Sequence, residues 1–568
     1  MALLLLLAVS CKKDKEQQIE GSGFGFRATV ESHEGDSKTH LDGVAVKWDS
    51  NDEILVQSNT CPEGKRFVLV YEEGDEAGFN PDETLPEGFY SPNYTAGYPA
   101  GDFTFGESII NIELPSTQTY VENSFGNGAN PMIAVCGDKK MLAFKNICGL
   151  LKLQLYSETA CQVRSITLIS HKENELLCGT GTVEWNGGEP TLSLASGDGS
   201  LTLDCGAEGL AMSTDEANPS VFYFVVPAGT LSEGFTVKVM DMDGTYWIKA
   251  AKASTDNTIA RSKIKPMPTQ KIACCTIPEG ALPGLFSVGS GRKVYFSQGN
   301  LQYLAKGGPA DDASATAEYG QSVGGTWRFA EHQSDIIGQN NLNASPTYEG
   351  WIDLFAWGTS GYNHGASCYQ PWSMDANKSS YSAYGNNDYH LYSQTPATAD
   401  WGYNAIQNGE GSNWRTLSNE NGQGELHYLF NGRPDANQLY GEGCVDGVNG
   451  LIILPDNWTL PVGLTFTSGA IGWSNVYSYS EWAKMEAAGA VFLPAAGRRD
   501  SAISASHPEI TVDKVNERCY YASSSSCPVL EQDNDCYYLR VENDAIYPDQ
   551  NFGYRYHAFS VRLVTNAD

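Results

Sequence analysis

The sequence predicts a mainly β chain divided into several domains, and three observations predict it. Apolar and polar side chains alternate over short runs, as in Leu151-Lys152-Leu153-Gln154-Leu155 and Phe235-Thr236-Val237-Lys238-Val239. Alternation of this kind puts the apolar set on one face of a strand. Hairpin signals separate such runs: Asn186-Gly187 stands between Thr182–Trp185 and Leu192–Leu194, and Asp243-Gly244 precedes Tyr246-Trp247-Ile248. No long helical periodicity interrupts residues 23–270. Many short strands with turns between them are the pattern of β-sandwiches. With 568 residues, three or four domains are expected at roughly 100–200 residues each.

Composition narrows the function. The net charge of −32 excludes nucleic acid as a partner, because phosphate binding needs clustered Lys and Arg. Only five Lys occur from residue 284 onward, and nine of the 12 Trp lie at or after Trp327. This shift marks a boundary between a front half and a back half. Of 14 Cys, most of the front-half ones fall inside strand patterns and read as small buried hydrophobes. Cys519, Cys527 and Cys536 are close enough in sequence to supply one bridge, which an exported protein permits. No CxxC or Cys/His spacing suggests zinc.

The N-terminus carries an address. Leu3–Leu7, Ala8, Val9 and Ser10 form an apolar run closed by small residues. It is too short to span a bilayer as a helix, which takes roughly 20 residues, and it fits the core of a signal peptide. With Cys11 directly after it, the stretch resembles the bacterial lipobox, in which the thiol is acylated. Lys12, Lys13, Asp14, Lys15 and Glu16 follow and resemble the surface-export signal of Bacteroidetes lipoproteins. The expectation is a signal peptide over 1–10, a lipidated tether over 11–22, and a location on the outer membrane facing outward.

The front half carries motifs in a fixed order. These are Thr39-His40-Leu41-Asp42-Gly43 with Val46–Asp52, then Leu114–Tyr120, Phe144–Gly149 and Tyr223–Pro227. Together they resemble the fimbrillin-like lipoproteins of Bacteroidetes. The resemblance implies two tandem transthyretin-like β-sandwiches, over 23–135 and 136–270, of the kind used as pilus subunits. Pro266, Pro268, Pro278 and Pro283 then break the strand pattern, and 271–283 reads as a linker. Asp241, Asp243 and Gly244 read as a hairpin turn rather than a calcium loop, since the glycine is misplaced and no Glu closes the loop.

The back half, 284–568, runs through Val294–Tyr303, Trp327–Gln333, Gly350–Gly361, Trp414–Leu417, Leu454–Trp458, Gly489–Arg498 and Phe559–Val564. That order resembles the Fibrobacter paralogous domain and the wider C-type-lectin-like and formylglycine-generating-enzyme-like fold, and it implies an α+β domain. One short helix is expected after the capping box of Ser478 and Glu481, ending at Gly489, and another over 425–431. The rest is Gly-, Asn-, Ser- and Tyr-rich, a composition suited to binding loops.

Candidate residues cluster near the end. In Tyr537–Val541, alternation places Leu539 and Val541 on one face with Tyr537, and Tyr538 and Arg540 on the other. Tyr521, Tyr538, Arg540, Tyr547 and Tyr554 are the candidate ligand surface, since tyrosine rings stack on sugars and pack at interfaces. Asn534 and Asp535 offer oxygen ligands for calcium, the one cofactor the sequence raises; the rival reading is a polar loop between strands. Catalysis is not expected: the nine His show no HxH, HExxH or triad spacing, and residues around Cys519 and Cys527 do not match the formylglycine-generating pattern. The expected function is a surface adhesin or ligand-binding lipoprotein, associated with a pilus or at its tip. Its partners are the membrane through Cys11, a glycan or surface protein, and pilus subunits. The alternatives are a glycan-capture lipoprotein for polysaccharide uptake and an enzyme of the formylglycine-generating type.

Overall fold

The computed structural model describes residues 25–31, 41–42, 45–46, 48–73, 76–91, 93–106, 109–137, 140–273, 276–305, 325–361, 369–375, 391, 399–409, 414–419, 423–500, 509–527 and 535–567. The chain is mainly β, as its alternation predicts. It forms two compact units. One comprises Met1–Val237 with Ala251–Ala273, the other Lys238–Ala250 with Cys274–Asp568. Cys11 and the signal and tether segments lie outside the described residues.

In the first unit, seven strands close into a barrel. Phe26–Val30 makes the closure, pairing in parallel with Met141–Asn146 and antiparallel with Glu76–Pro81. The expected boundary at 135/136 falls within the barrel strand Met132–Cys136. Strict alternation in Glu53–Ser58 sends Ile54 and Val56 inward. Trp48 stands in the barrel core, edge-on to Phe79, Tyr98 and Phe144 at 5.0, 5.3 and 5.6 Å. Its neighbour Asp52 accepts from the Tyr98 hydroxyl at 2.7 Å and from the Asp49 amide at 2.6 Å. The Trp48–Asp52 motif is therefore a core corner.

Beyond the barrel, Cys148–Ser157 pairs antiparallel with Ser220–Pro227 and in parallel with Ile264–Pro266 and Gln270–Ile272. Gln118 joins this sheet to Thr117–Val121 through its side chain. Its Nε2 donates to the Val225 carbonyl at 2.8 Å, and its Oε1 accepts from the Val225 amide at 3.0 Å. One side-chain amide thus does the work of a neighbouring strand. The motifs Leu114–Tyr120 and Tyr223–Pro227 meet at this pair.

Among the described residues, the second unit holds five small sheets. Val564–Ala567 pairs with Arg292–Phe296, so the end of the chain closes onto the start of the back half. The expected linker carries paired residues: Ile277–Pro278 pairs with Thr245–Tyr246, and Ala281 and Leu282 are buried. The Tyr246 hydroxyl donates to the Ala281 carbonyl. At the tip of that hairpin, Asp241 accepts from the amides of Asp243 and Thr245 and from the Thr245 hydroxyl. Its oxygens serve the turn, which agrees with the hairpin reading.

The capping box of Ser478 and Glu481 opens the helix Tyr479–Ala487, which buries Trp482 and Met485. Gly489 follows at φ +97°, where an added Cβ would lie 2.6 Å from the Gly284 Cα. The second expected helix begins as Gly424–His427 and continues as the wider turn Tyr428–Gly432.

Asp353 lies in the middle of Gly350–Gly361 and is buried. Asn341 Nδ2 and the Ile337 amide donate to its two oxygens at 2.8 and 3.0 Å. Burial outweighs these bonds and pushes its carboxyl up to about 6. The folded state therefore holds this proton more tightly than the unfolded chain does. The resulting stabilisation is complete below the ordinary carboxylate range and is lost as pH rises through about 6.

Two predictions follow from these contacts. Gln118→Leu leaves both polar groups of Val225 unpaired and should cost about 2–4 kcal/mol in urea unfolding, while Thr119→Ala, at an exposed neighbour, should leave the midpoint in place. Asp353→Asn should flatten the gain in melting temperature that the wild type shows between pH 7 and pH 4; parallel slopes would contradict the assignment.

Candidate ligand-binding face

The residues singled out near the C-terminus lie on one sheet, formed by Arg518–Cys527, Asp535–Glu542 and Ala545–Tyr554. The two-residue turn Asn543-Asp544 sets its register. Glu542 lies opposite Ala545, Val541 opposite Ile546, and Arg540 opposite Tyr547. On the other side, Tyr520 lies opposite Arg540 and Arg518 opposite Glu542.

Alternation within Tyr538–Val541 assigns the faces correctly, but both faces are covered. Cys519, Tyr521, Leu539 and Val541 point into one hydrophobic core. Tyr520, Ala522 and Tyr538 point into another, where Tyr538 stacks on Phe559 with centroids 4.9 Å apart. Tyr538 is 7% exposed and Tyr521 is 3% exposed. These two residues are therefore structural, contrary to expectation. The Tyr521 hydroxyl donates to the Pro494 carbonyl at 3.1 Å and meets the Asn300 side chain at 3.1–3.2 Å. Tyr554 is half-buried at the far end of its strand, opposite Asp535 and stacked on Tyr556.

Arg540 and Tyr547 are brought together. The guanidinium sits over the ring at 4.5 Å, and Tyr547 is 38% exposed. Sequence reasoning missed the groups that continue this pair into a row. Glu542 Oε1 lies 3.1 Å from Arg540 Nε and 3.2 Å from Arg518 Nη1. Arg518 donates to the Tyr520 hydroxyl at 3.4 Å. Arg498 lies over the Tyr520 ring at 5.5 Å and pairs with Asp500 and Asp513. The row ends at His557, 3.2 Å from Asp500. Its signal in the sequence was the Asn543-Asp544 turn, which by itself pairs Arg540 with Tyr547 and Glu542 with Ala545. Alternation then adds Arg518 and Tyr520 from the neighbouring strand.

Asn534 lies outside the described residues. Asp535 is buried as the first residue of its strand, and its carbonyl accepts from Arg555 Nε at 3.2 Å. Among the described residues no three His, Cys, Asp or Glu side chains are grouped to hold a metal ion.

The bridge expected among Cys519, Cys527 and Cys536 is not formed. The Cys519 thiol donates to the Leu493 carbonyl at 3.3 Å and the Cys536 thiol to the Gly553 carbonyl at 3.2 Å. Burial pushes both thiols up, away from the nucleophilic thiolate. The serine run between Cys519 and Cys527 is strand, not loop. Two extra residues bulge between Ala522 and Ser526. There the Ser523 hydroxyl donates to the Tyr537 carbonyl, its own carbonyl accepts from Trp357 Nε1, and Ser525 Oγ accepts from the Asn419 amide. Small hydroxyl side chains fit a buried bulge whose backbone groups must be met locally.

No protein-family model and no curated protein matches the chain. Similar solved structures are fimbrial and cell-adhesion proteins. One, a candidate cell adhesion protein from Bacteroides ovatus ATCC 8483, shares 10% identity and covers 44% of this chain and 92% of its own, with a TM-score of 0.29. A fimbrial protein from the same strain shares 9% identity over 95% of this chain and 99% of its own, with a TM-score of 0.22. The tip fimbrial protein Mfa3 from Porphyromonas gingivalis shares 9% over 40% of this chain and 81% of its own, with a TM-score of 0.19. Likeness at this level assigns no role to this chain.

The face divides into core and surface, and stability measurements should show it. Tyr538→Ala should cost about 3–5 kcal/mol, whereas Tyr547→Ala should cost less than about 1 kcal/mol; equal losses in chemical unfolding would refute the division.

Proposed function

We propose that the chain is a cell-surface adhesin. Lipid on Cys11 holds it to the outer membrane, the first unit is fimbrillin-like and associates with pilus subunits, and the second unit presents the ligand-binding face. One observation supports this reading: described residues of the later motifs stand at positions that build the first unit, Thr39, His40 and Gly43 lying outside the described residues. Trp48 and Asp52 form a corner of the barrel, and Gln118 bridges to Val225. Asn146 receives Asn130 Nδ2 at 2.8 Å and donates to the Ser262 hydroxyl at 2.9 Å.

The binding face is assigned to the second unit because Tyr547 and the Arg518–Glu542–Arg540 row lie on rigid paired strands. A site on strands holds its geometry better than one on loops.

In cells, Cys11→Ala should move the protein from the membrane fraction to the soluble one. The intact purified chain should bind members of a glycan or host-protein array; silence on both would sink the adhesin reading.

A further inference from the structure

The Arg518–Glu542–Arg540 group has a particular asymmetry. Two guanidinium groups converge on one carboxylate oxygen, Glu542 Oε1, at 3.2 and 3.1 Å. Arg540 Nε makes this approach without an aligned hydrogen bond. Both guanidinium groups therefore draw on one oxygen of Glu542, with Asp513 a second negative charge near Arg518, and the Arg540 Nε–H is poorly served and shielded from solvent. All three side chains are partly open to solvent, at 35, 19 and 26%. The half-exposed Tyr547 ring packs under the Arg540 guanidinium, which covers one of its two faces. A guanidinium pair is suited to planar, bidentate recognition of carboxylate, and a tyrosine ring offers an apolar face to the C–H face of a sugar.

The geometry points to an anion seat, filled in the free protein by Glu542, that takes the carboxylate of a uronate-bearing saccharide whose ring rests against Tyr547. This rests on the reading of the second unit as the ligand-binding part. Glu542 acts as a tethered competitor. It keeps the two arginines poised and screens them from weak anions, and a ligand that brings both a carboxylate and a ring displaces it. An acidic peptide supplies the carboxylate but no pyranose face, so the aromatic neighbour favours the saccharide.

The test uses the full chain in calorimetric titration with trigalacturonate, its methyl ester, and a tri-glutamate peptide. Trigalacturonate should bind, with affinity falling as salt is added. The neutral ester should bind about tenfold more weakly or not at all, the loss expected for a missing charge-assisted contact, and the peptide should also bind about tenfold more weakly or not at all, because it brings no pyranose face to Tyr547. Arg518→Gln and Arg540→Gln should each weaken trigalacturonate binding about tenfold. Glu542→Gln should tighten it several-fold, by removing the competitor. That last sign separates a seat from a structural ion network, in which the same substitution would only loosen the site. Melting temperatures of all three variants confirm that they fold, and Tyr547→Phe, which keeps the ring, should bind as the wild type does.

The seat is overturned if the ester or the peptide matches trigalacturonate, or if folded Glu542→Gln binds no tighter. If the seat fails while the chain still binds array members, the adhesin reading stands and the face lies elsewhere. If arrays other than uronates are silent and trigalacturonate binds, both stand, with the ligand class narrowed.

Discussion

The constraint on which both units depend is the satisfaction of backbone amides where short strands end inside the protein. A buried peptide group without a partner costs about 1–3 kcal/mol, and a chain of many short strands creates many such ends. This protein meets the problem with side-chain amides used as substitute strands. Gln118 takes both groups of Val225. Asn408 takes both groups of Phe329, at 2.8 and 3.1 Å. Asn475 takes both of Thr467, at 2.7 and 3.0 Å. Gln333 accepts from the Phe492 amide and donates to the Ala490 carbonyl. Each plug is short, neutral and directional, and each ties segments that the strand ladders do not join.

Charged groups do the same work at fewer places and higher stakes. Arg261 reaches Glu31, Glu189 and the Asn146 carbonyl at once. Burial alone would raise the Glu31 carboxyl, but the hydrogen bonds and charges of Arg261 and Lys145 overcome it and hold the group low. Glu31 accordingly contributes stability above the ordinary carboxylate range and loses it as pH falls below that range, opposite in sign to Asp353. In the second unit, Arg433 spends its guanidinium on the carbonyls of Leu429, Leu454 and Leu439. Buried arginine suits such positions because one rigid fork satisfies several acceptors. The scarcity of lysine in the back half fits a unit that places its cations in fixed hydrogen-bonding roles.

What the sequence made legible follows from this. Alternation located strands such as Cys148–Ser157 and Phe235–Asp241, and the capping box located the helix at Tyr479–Ala487, because these signals are local. The Asn-rich and Ser-rich stretches were read as surface loops because composition reports polarity and not where the polarity is used. Asn408, Asn475 and Ser523 are polar because they face backbone, not water. The same limit applied to the candidate face. Period-two alternation separated Tyr538 and Arg540 from Leu539 and Val541 correctly, yet it carried no information about what covers each face. Phe559, from a strand beginning 20 residues farther on, turned Tyr538 into core.

The covering also explains why so little of the sheet is left for recognition. A sheet with a core on both sides presents only its ends and the row where one covering element stops. Here the Tyr520–Tyr538–Phe559 stack fills the middle of one face; Arg540, between Tyr520 and Tyr547, lies at its edge, and the rank beyond carries Glu542 opposite Arg518. Those side chains must be polar, since they stand at the mouth of a core. They must also be held, since water competes for each of them. The stack beneath supplies the rigidity, and the Asn543-Asp544 turn fixes the spacing. Of the five residues the sequence proposed, Arg540 and Tyr547 reach the surface because they fall at the edge of that stack; Tyr521 and Tyr538 fall within the region it and its neighbouring core cover.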